Sequence, residues 1–340
     1  MLQLSDVFES FRTMCISTYG LDPAYYVSAP QLSWDAMLKI TGVDLELISD
    51  PAMFRMVDSG IRGGVSMIST RFARANNEQT GNDYDRNKPK SWIKGLDANN
   101  LYGWAMSQCL PIGEFSWVPE EELSAIKWTE LNDDDPYGYI VKVDLVYPHR
   151  LHDLDSDYPV APERLCVKDE WLSDKQMRIK AQYNLPRSEC TAKLIPNLLD
   201  KTEYVVDYRN LKFYLNHGLV LGKVHSAIKY RQSPWMAPYI ALNQKKRTEA
   251  KTEFEKDFFK LMNNSVFGKT CENQKKRTSV YLVHTREKFK KLVGKPNFMD
   301  ARIFDEDFAA VELQKTKLMI NKPFFVGFSI LDLAKLHMYR

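Results

Sequence analysis

Apolar residues recur at helical spacing over the first 58 residues. DVFESFRTMCISTYG (Asp6–Gly20) and APQLSWDAMLKITG (Ala29–Gly42) each place them three or four positions apart, which predicts amphipathic helices. Within the second segment, Ser33 precedes WDAM and is predicted to cap a helix. The first part of the chain is therefore expected to be mostly helical.

The middle of the chain alternates apolar and polar residues. Tyr139–Pro148 (YIVKVDLVYP) and Leu219–Gln232 show the alternation typical of strands. Between them, Lys193–Gly218 predicts a strand followed by a helix that stops at Gly218, because glycine readily ends helices. Upstream, the apolar run IKGL (Ile93–Leu96) predicts a short strand ending at Asp97.

Helical spacing returns from Ser233 to Ser265 and again in PFFVGFSILDLAKLHMYR, where Pro323 fits the first turn. Strands and helices thus mix without regular alternation, and the expected fold class is α+β. No apolar run reaches the ~18–20 residues that span a bilayer, so no membrane association is expected.

The overall composition is ordinary, but the positive charge is unevenly distributed along the chain. The 340 residues are 44% hydrophobic and 27% charged, as in ordinary soluble proteins. The five scattered cysteines, without a Cys-x-x-Cys pair, favour free thiols in a reducing, intracellular compartment. The net charge is only +3, but Asn243–Arg277 holds ten Lys/Arg against five Asp/Glu. Positive charge is therefore concentrated in one segment.

That cationic segment permits two interpretations. If its helix were continuous, Lys246, Lys256 and Lys260 would share a face suited to a polyphosphate. A solvated charged helix ending at a glycine turn explains the same residues. Asp97 and Tyr102 also permit a structural interpretation. An aspartate at a strand end can cap a turn, and Tyr102 by itself could be a half-buried aromatic.

Three segments, in this order, resemble motifs of family B DNA polymerases. GIRGG (Gly60–Gly64) resembles the Tyr-x-Gly-Gly element joining exonuclease and polymerase domains in protein-primed members, with Ile61 at the tyrosine. LDANNLYGWAM (Leu96–Met106) resembles the first palm motif, and KLMNNSVFGK (Lys260–Lys269) resembles the second, Lys-x-x-x-Asn-Ser-x-Tyr-Gly. The wider match, over essentially the whole chain, is similar to polymerases of large self-synthesising DNA transposons and related viruses.

The resemblance implies a right-hand polymerase fold with a partial palm, fingers, insertions and a C-terminal remnant of an exonuclease domain. The implied domains run in chain order. They are an exonuclease remnant (1–58), a template-contacting linker with the first palm segment (59–115), an insertion with a palm segment (116–225), fingers (226–270), and a second insertion with a palm helix (271–340).

The implied activity is template-directed DNA synthesis on a DNA template-primer, using dNTPs and two Mg²⁺ ions, with a terminal protein as candidate primer. Asp97 would bind metal with the Ala98 carbonyl, and Tyr102 would exclude a ribose 2′-hydroxyl. The remaining implied contacts fall into three groups. Lys260 and, with an ambiguous register, Arg247 would bind the triphosphate; Asn264, Phe267 and Gly268 would surround the base pair; Arg62, Gly63 and Gly64 would touch the template.

The third palm motif, an Asp-Thr-Asp, is absent from the sequence. The chain is therefore expected to be a fragment that is inactive by itself. Asp144 is the best in-chain candidate for a second carboxylate, against the alternative of a strand-edge aspartate. HRLHDLDSDYP (His149–Pro159) could be a metal site or, as is more usual, a solvated loop. Two other functions compete: an inactive relic that at most binds DNA or nucleotide, and an unrelated nucleotide-binding or structural domain.

Overall fold

The computed structural model describes residues 2–185 and 192–340, so Cys190 lies outside the described residues. The helices are α1 Leu2–Tyr19, α2 Ala29–Thr41, α3 Pro51–Gly60, α4 Leu101–Met106, α5 Glu120–Leu123, α6 Asp174–Gln182, α7 Tyr208–His217, α8 Ala237–Glu249, α9 Glu253–Thr270, α10 Arg286–Val293 and α11 Phe324–Tyr339. The strands are β1 Leu110–Trp117, β2 Tyr137–Val146, β3 Glu163–Leu165, β4 Lys193–Ile195, β5 Lys201–Asp207, β6 Val220–Ser233, β7 Thr278–Val283, β8 Phe298–Asp305 and β9 Phe308–Gln314.

The central sheet is antiparallel, with strand order β1-β6-β2-β5. It confirms the strands predicted from alternation, and α7 ends where Gly218 takes the left-handed conformation with φ 118°. Alternate residues face opposite sides. Ile140 belongs to one buried core while its neighbour Val141 belongs to the other.

α11 lies at the centre of the larger core. It packs against α3, α4, α9 and the central sheet, and every residue from Phe324 to Leu336 is buried. The smaller core on the other face of the sheet is formed with α7 and the segments around β2 and β5. A helix buried all round holds a fixed position, so α11 is the scaffold for the elements around it.

A separate three-stranded sheet follows α9. Its order is β7-β9-β8, and α10 covers one face with a core of its own that includes Val283, Leu292 and Val311. Within the described residues, no helix is long and apolar enough to cross a membrane.

Three predicted elements were wrong. Ser33 lies inside α2, where its hydroxyl donates to the Ala29 carbonyl, and Ser28 occupies the N-cap. IKGL forms no strand, because no described strand pairs with it and Leu96 is 94% exposed. The cationic helix is broken after Glu249, since Thr252 begins α9 with a capping box.

Candidate functional site

A cavity of about 990 Å³ opens where the segment around Asp97 meets α8 and α9. Seven of the eleven residues singled out by the sequence line it: Gly64, Asp97, Ala98, Tyr102, Arg247, Lys260 and Asn264. Gly63, Arg62, Phe267 and Gly268 are not part of the lining. Segments more than 150 residues apart in sequence are therefore brought together.

Asp97 lies at the rim of this cavity with an exposed carboxylate. Among the described residues it has no hydrogen-bond or ion-pair partner, so it does not cap a turn. The following turn depends on two residues. Asn100 has φ 54°, which asparagine tolerates better than most residues, and a Cβ on Gly103 would lie only 2.1 Å from the Asn100 amide. A side chain at position 103 would therefore force the Asn100 amide to move, and α4 begins at Leu101, directly after the turn that follows Asp97.

The ring of Tyr102 stacks on that of Phe267. Their centroids are 4.2 Å apart and their planes differ by 12°. Phe267 thus contributes to the cavity indirectly, because it backs a ring that lines it. Gly268, on the exposed side of α9, has open space around its Cα.

The two cationic side chains that line the cavity, Arg247 and Lys260, come from α8 and α9. A buried amide pair joins these helices: Asn243 Nδ2 donates to Asn263 Oδ1 at 2.7 Å, and Tyr19 donates to Asn243 Oδ1 at 2.6 Å. Arg247 lies one turn beyond Asn243, and Lys260 lies one turn before Asn263. Both cations are exposed on the cavity, whereas Lys256 pairs with Glu253 and Lys246 does not line it.

Arg62 is placed differently from the prediction of a template contact. Its guanidinium is buried, donates to the carbonyls of Val205 (2.7 Å) and Gly60 (3.2 Å), and lies 3.8 Å from the Tyr204 ring centre. Gly63 and Gly64 are exposed, with open space beside them. The glycines are accessible to a ligand and the arginine anchors their segment.

Lys335 lines the back of the cavity from α11. Its Nζ donates to the carbonyls of Arg62 (2.9 Å) and Leu331 (3.0 Å) and lies 3.3 Å from the Asp332 carboxylate. Burial lowers the pKa of Lys335 and raises that of Asp332. These groups fix one wall of the cavity.

Asp155 was missed as a cavity residue. It is 5% exposed, accepts from Tyr147 at 2.5 Å, and lies 2.8 Å from His217 Nε2. The only signal was its place in HRLHDLDSDYP, whose composition predicted a metal site or a solvated loop. Neither carboxylate oxygen is free, and the described residues contain no group of three or more potential metal ligands.

Asp144 does not line the cavity. Hydrogen bonds from the Glu203 amide (2.7 Å) and from His225 (2.9 Å) lower its pKa. It lies on β2, which is a central strand and not an edge. The carboxylate therefore has a local structural role.

The oxygen atoms at the rim of the cavity could supply only part of the coordination shell of Mg²⁺. Mg²⁺ commonly uses one or two protein carboxylates and completes its shell with water and substrate phosphates. Asp97 offers one free carboxylate beside the Ala98 segment, and a second free one is missing from the cavity lining that the structure describes. The site therefore fits an ion that arrives with a phosphate ligand better than a resident ion.

Comparisons with known proteins address the fold. Neither a protein-family model nor a curated protein matches the sequence. Among solved structures, phi29 DNA polymerase complexed with primer-template DNA is similar with a TM-score of 0.50 and 16% identity, covering 94% of this chain and 45% of that one. The chain has a DNA polymerase-like fold.

The orthorhombic form of phi29 DNA polymerase gives a TM-score of 0.48 at 14% identity, over 90% of this chain and 43% of that chain. This chain thus spans less than half the length of those structures. The expectation of a DNA polymerase-like fold is confirmed. The domain boundaries and the residue roles stay predictions.

Proposed function

We propose that this chain supplies the nucleotide-binding half of a template-directed DNA polymerase site. The observation that carries the proposal is the cavity, which unites a free carboxylate, a stacked tyrosine and two exposed cations from three separate segments. Isolated motifs could arise by chance, but chance does not explain their meeting at one cavity.

Each group has a role that its environment permits. Lys260 and Arg247 bind the triphosphate, since both are exposed and have no partner among the described residues, which leaves them available to phosphate oxygens. Tyr102, held flat by Phe267, packs against the deoxyribose and leaves no room for a 2′-hydroxyl. Asp97 and the Ala98 carbonyl would hold Mg²⁺, which supplies neutralisation of the charge that develops on the phosphates.

The larger context belongs to the same proposal. We assign the chain to the replication of a transposon or virus, with a DNA template-primer and a terminal protein as primer, on the strength of the sequence resemblance. Gly63 and Gly64 approach the template backbone, because open glycine amides can meet a phosphate closely.

Calorimetric titration of the full chain with dATP and Mg²⁺ tests the nucleotide site. Charge-assisted hydrogen bonds contribute about 1.5–3 kcal/mol, so Lys260→Ala should weaken binding about 10-fold or more. Lys256→Ala removes a cation from the same helix, outside the cavity, and should bind like wild type. Equal affinity in all three proteins would refute the assignment.

A second titration, with ATP in place of dATP, tests the sugar contact. The wild type should prefer dATP, and Tyr102→Ala should reduce that preference. An unchanged ratio of the two affinities would contradict the proposal that Tyr102 excludes the 2′-hydroxyl.

One observation favours a second candidate, a relic that binds nucleotide without transferring it. Asp97 is the one free carboxylate that lines the cavity within residues 2–185 and 192–340. Robust primer extension by the isolated chain with Mg²⁺ and dNTPs would exclude the relic, whereas both candidates are consistent with little or no synthesis. We expect little or none from this chain alone.

A further inference from the structure

Three buried polar side chains form a hydrogen-bonded chain between α1, α8 and α9, which we name the polar ladder. Tyr19 Oη donates to Asn243 Oδ1 at 2.6 Å, and Asn243 Nδ2 donates to Asn263 Oδ1 at 2.7 Å. None of the three residues is more than 4% exposed, so water does not compete for these bonds. Because the Tyr19 hydroxyl donates to the amide oxygen of Asn243, the amide nitrogen is turned towards Asn263.

The ladder lies in a contact between helices that is otherwise largely apolar. Ile240 on α8 and Phe259, Met262 and Val266 on α9 belong to the larger core. Apolar groups of the same shape could replace a buried hydrogen-bonded pair with little change in stability, so burial alone does not require the ladder. A buried asparagine, in contrast, can fix the register of packed helices, because its hydrogen bonds are directional. The ladder therefore fixes the position of α8 relative to α9.

Each asparagine of the ladder lies one helical turn from a cation that lines the cavity. Arg247 follows Asn243 by four residues on α8, and Lys260 precedes Asn263 by three residues on α9. Both cationic side chains are exposed and have no partner among the described residues. The positions of the two helices therefore decide where the charged groups can reach, since no protein contact holds the side chains themselves.

A triphosphate requires a particular spacing of the cations that bind it. Its charge lies on a short chain of phosphates, so two cations can share one triphosphate only if their separation matches that chain. A monophosphate has no such requirement, because a single cation can bind it. Binding groups reach the precision that such a match needs when a supporting shell of hydrogen bonds holds the elements that carry them.

We infer that Asn243 and Asn263 are positioning residues of the nucleotide site, which set the separation of Arg247 and Lys260 for a triphosphate. Neither asparagine lines the cavity, so both act through the helices that carry the cations. Tyr19 contributes by orienting the Asn243 amide. This inference rests on the proposed function for the identity of the ligand, and on the contacts of the ladder for the positioning.

The selectivity for dATP over dAMP tests the inference. The triple variant Tyr19→Phe, Asn243→Leu, Asn263→Leu removes the three polar groups together, so that none of them is left without its partner. Calorimetric titration with dATP and Mg²⁺, and displacement of dATP by dAMP, give the two affinities. The affinity for dATP should fall about 10-fold, as expected for the loss of one charge-assisted hydrogen bond, and that for dAMP should be retained.

Tyr208→Phe is the control for the loss of a buried hydrogen bond. It removes a buried hydroxyl that donates to the Asp133 carbonyl at 3.1 Å, in the smaller core and outside the cavity lining. This variant should keep the wild-type ratio of the dATP and dAMP affinities. Thermal unfolding checks that both variants are folded. If the triple variant does not unfold cooperatively, Asn263→Ala takes its place, because Asn243 then keeps its bond from Tyr19.

An unchanged affinity ratio in a folded ladder variant would overturn the inference. Equal losses of dATP and dAMP affinity would overturn it too, because they indicate a general disruption of the site. Lys260→Ala separates this inference from the proposed function. If Lys260→Ala binds dATP as tightly as the wild type, the nucleotide site itself is wrong. If Lys260→Ala weakens dATP binding and the ladder variant keeps its ratio, only the positioning role is wrong.

Discussion

The two walls of the cavity are built in opposite ways. At the back, Lys335 is 7% exposed and its ammonium group is held by two carbonyls and a carboxylate. At the rim, Asp97 is exposed and has no partner among the described residues. The first wall stabilises the fold, and the second presents unsatisfied groups to a ligand.

The buried wall continues into a longer network. The Asp207 amide donates to Asp332 at 3.0 Å, and the Asp207 carboxylate pairs with Arg209 at 2.9 Å. Buried charges are tolerated when every one is paired. At the rim, the Asp97 carboxylate is exposed to solvent, so its lack of a partner costs little and it remains available to a ligand. The comparison predicts that mutations at the back change stability and that those at the rim change binding.

The largest effect is expected at the far end of the network. Arg209→Met should lower the free energy of unfolding by about 3–5 kcal/mol, because it leaves the buried Asp207 carboxylate without its cation. Arg231→Met, which removes a half-exposed partner of Glu114, should cost no more than about 1 kcal/mol. Urea unfolding of both variants measures the difference. Similar midpoints would contradict the expected difference between a buried and an exposed ion pair.

A pair of glycines tests how closely α11 is packed. A Cβ on Gly327 would lie 2.6 Å from Cys271 Sγ and 3.2 Å from the Thr270 backbone, so Gly327→Ala should cost about 1–3 kcal/mol. Gly268→Ala on the neighbouring helix meets nothing and should stabilise the protein by up to about 1 kcal/mol. Thermal unfolding of the two variants should therefore shift in opposite directions. If both melting temperatures shifted in the same direction, the prediction that Gly327 is closely packed and Gly268 is not would be wrong.

The sequence predicted the central elements well, for a physical reason. The alternation in β2 and β6 and the glycine after α7 are local signals, and burial of one face enforces them. IKGL failed because a strand needs a neighbour, and pairing is not encoded in the segment itself. The break between α8 and α9 was visible in Thr252 and Glu255, but apolar spacing continued across it.

For the site, motif resemblance located the residues that face the cavity better than composition did. Asp97, Tyr102 and Lys260 belong to recognisable motifs and line it. Asp155 and Lys335 line it too, but their roles come from tertiary contacts with His217 and with the Arg62 carbonyl. Contacts between residues 60 or more positions apart could not be derived from either segment alone.

The pH dependence of stability sharpens the description of the back wall. Burial raises the pKa of Asp332 above its unfolded value, so the folded state takes up a proton more readily. Its contribution to stability is therefore present below the unfolded pKa and is lost as pH rises through the folded pKa. Relative to Asp332→Asn, the wild type should gain unfolding free energy as pH falls from 7 towards 4. Urea unfolding across this range measures it, and a constant difference would contradict it.

The smallest effect on stability is expected at the rim. Asp97→Asn removes an exposed carboxylate without a partner, so the free energy of unfolding should change by less than about 0.5 kcal/mol. Nucleotide binding should behave differently, because the amide keeps the shape and loses the charge that attracts Mg²⁺. The enhancement of dATP affinity by Mg²⁺ should shrink in Asp97→Asn and persist in the Asp134→Asn control, an aspartate outside the cavity. If Asp97→Asn unfolded at a clearly lower urea concentration and kept the Mg²⁺ effect, the rim would be structural like the back wall.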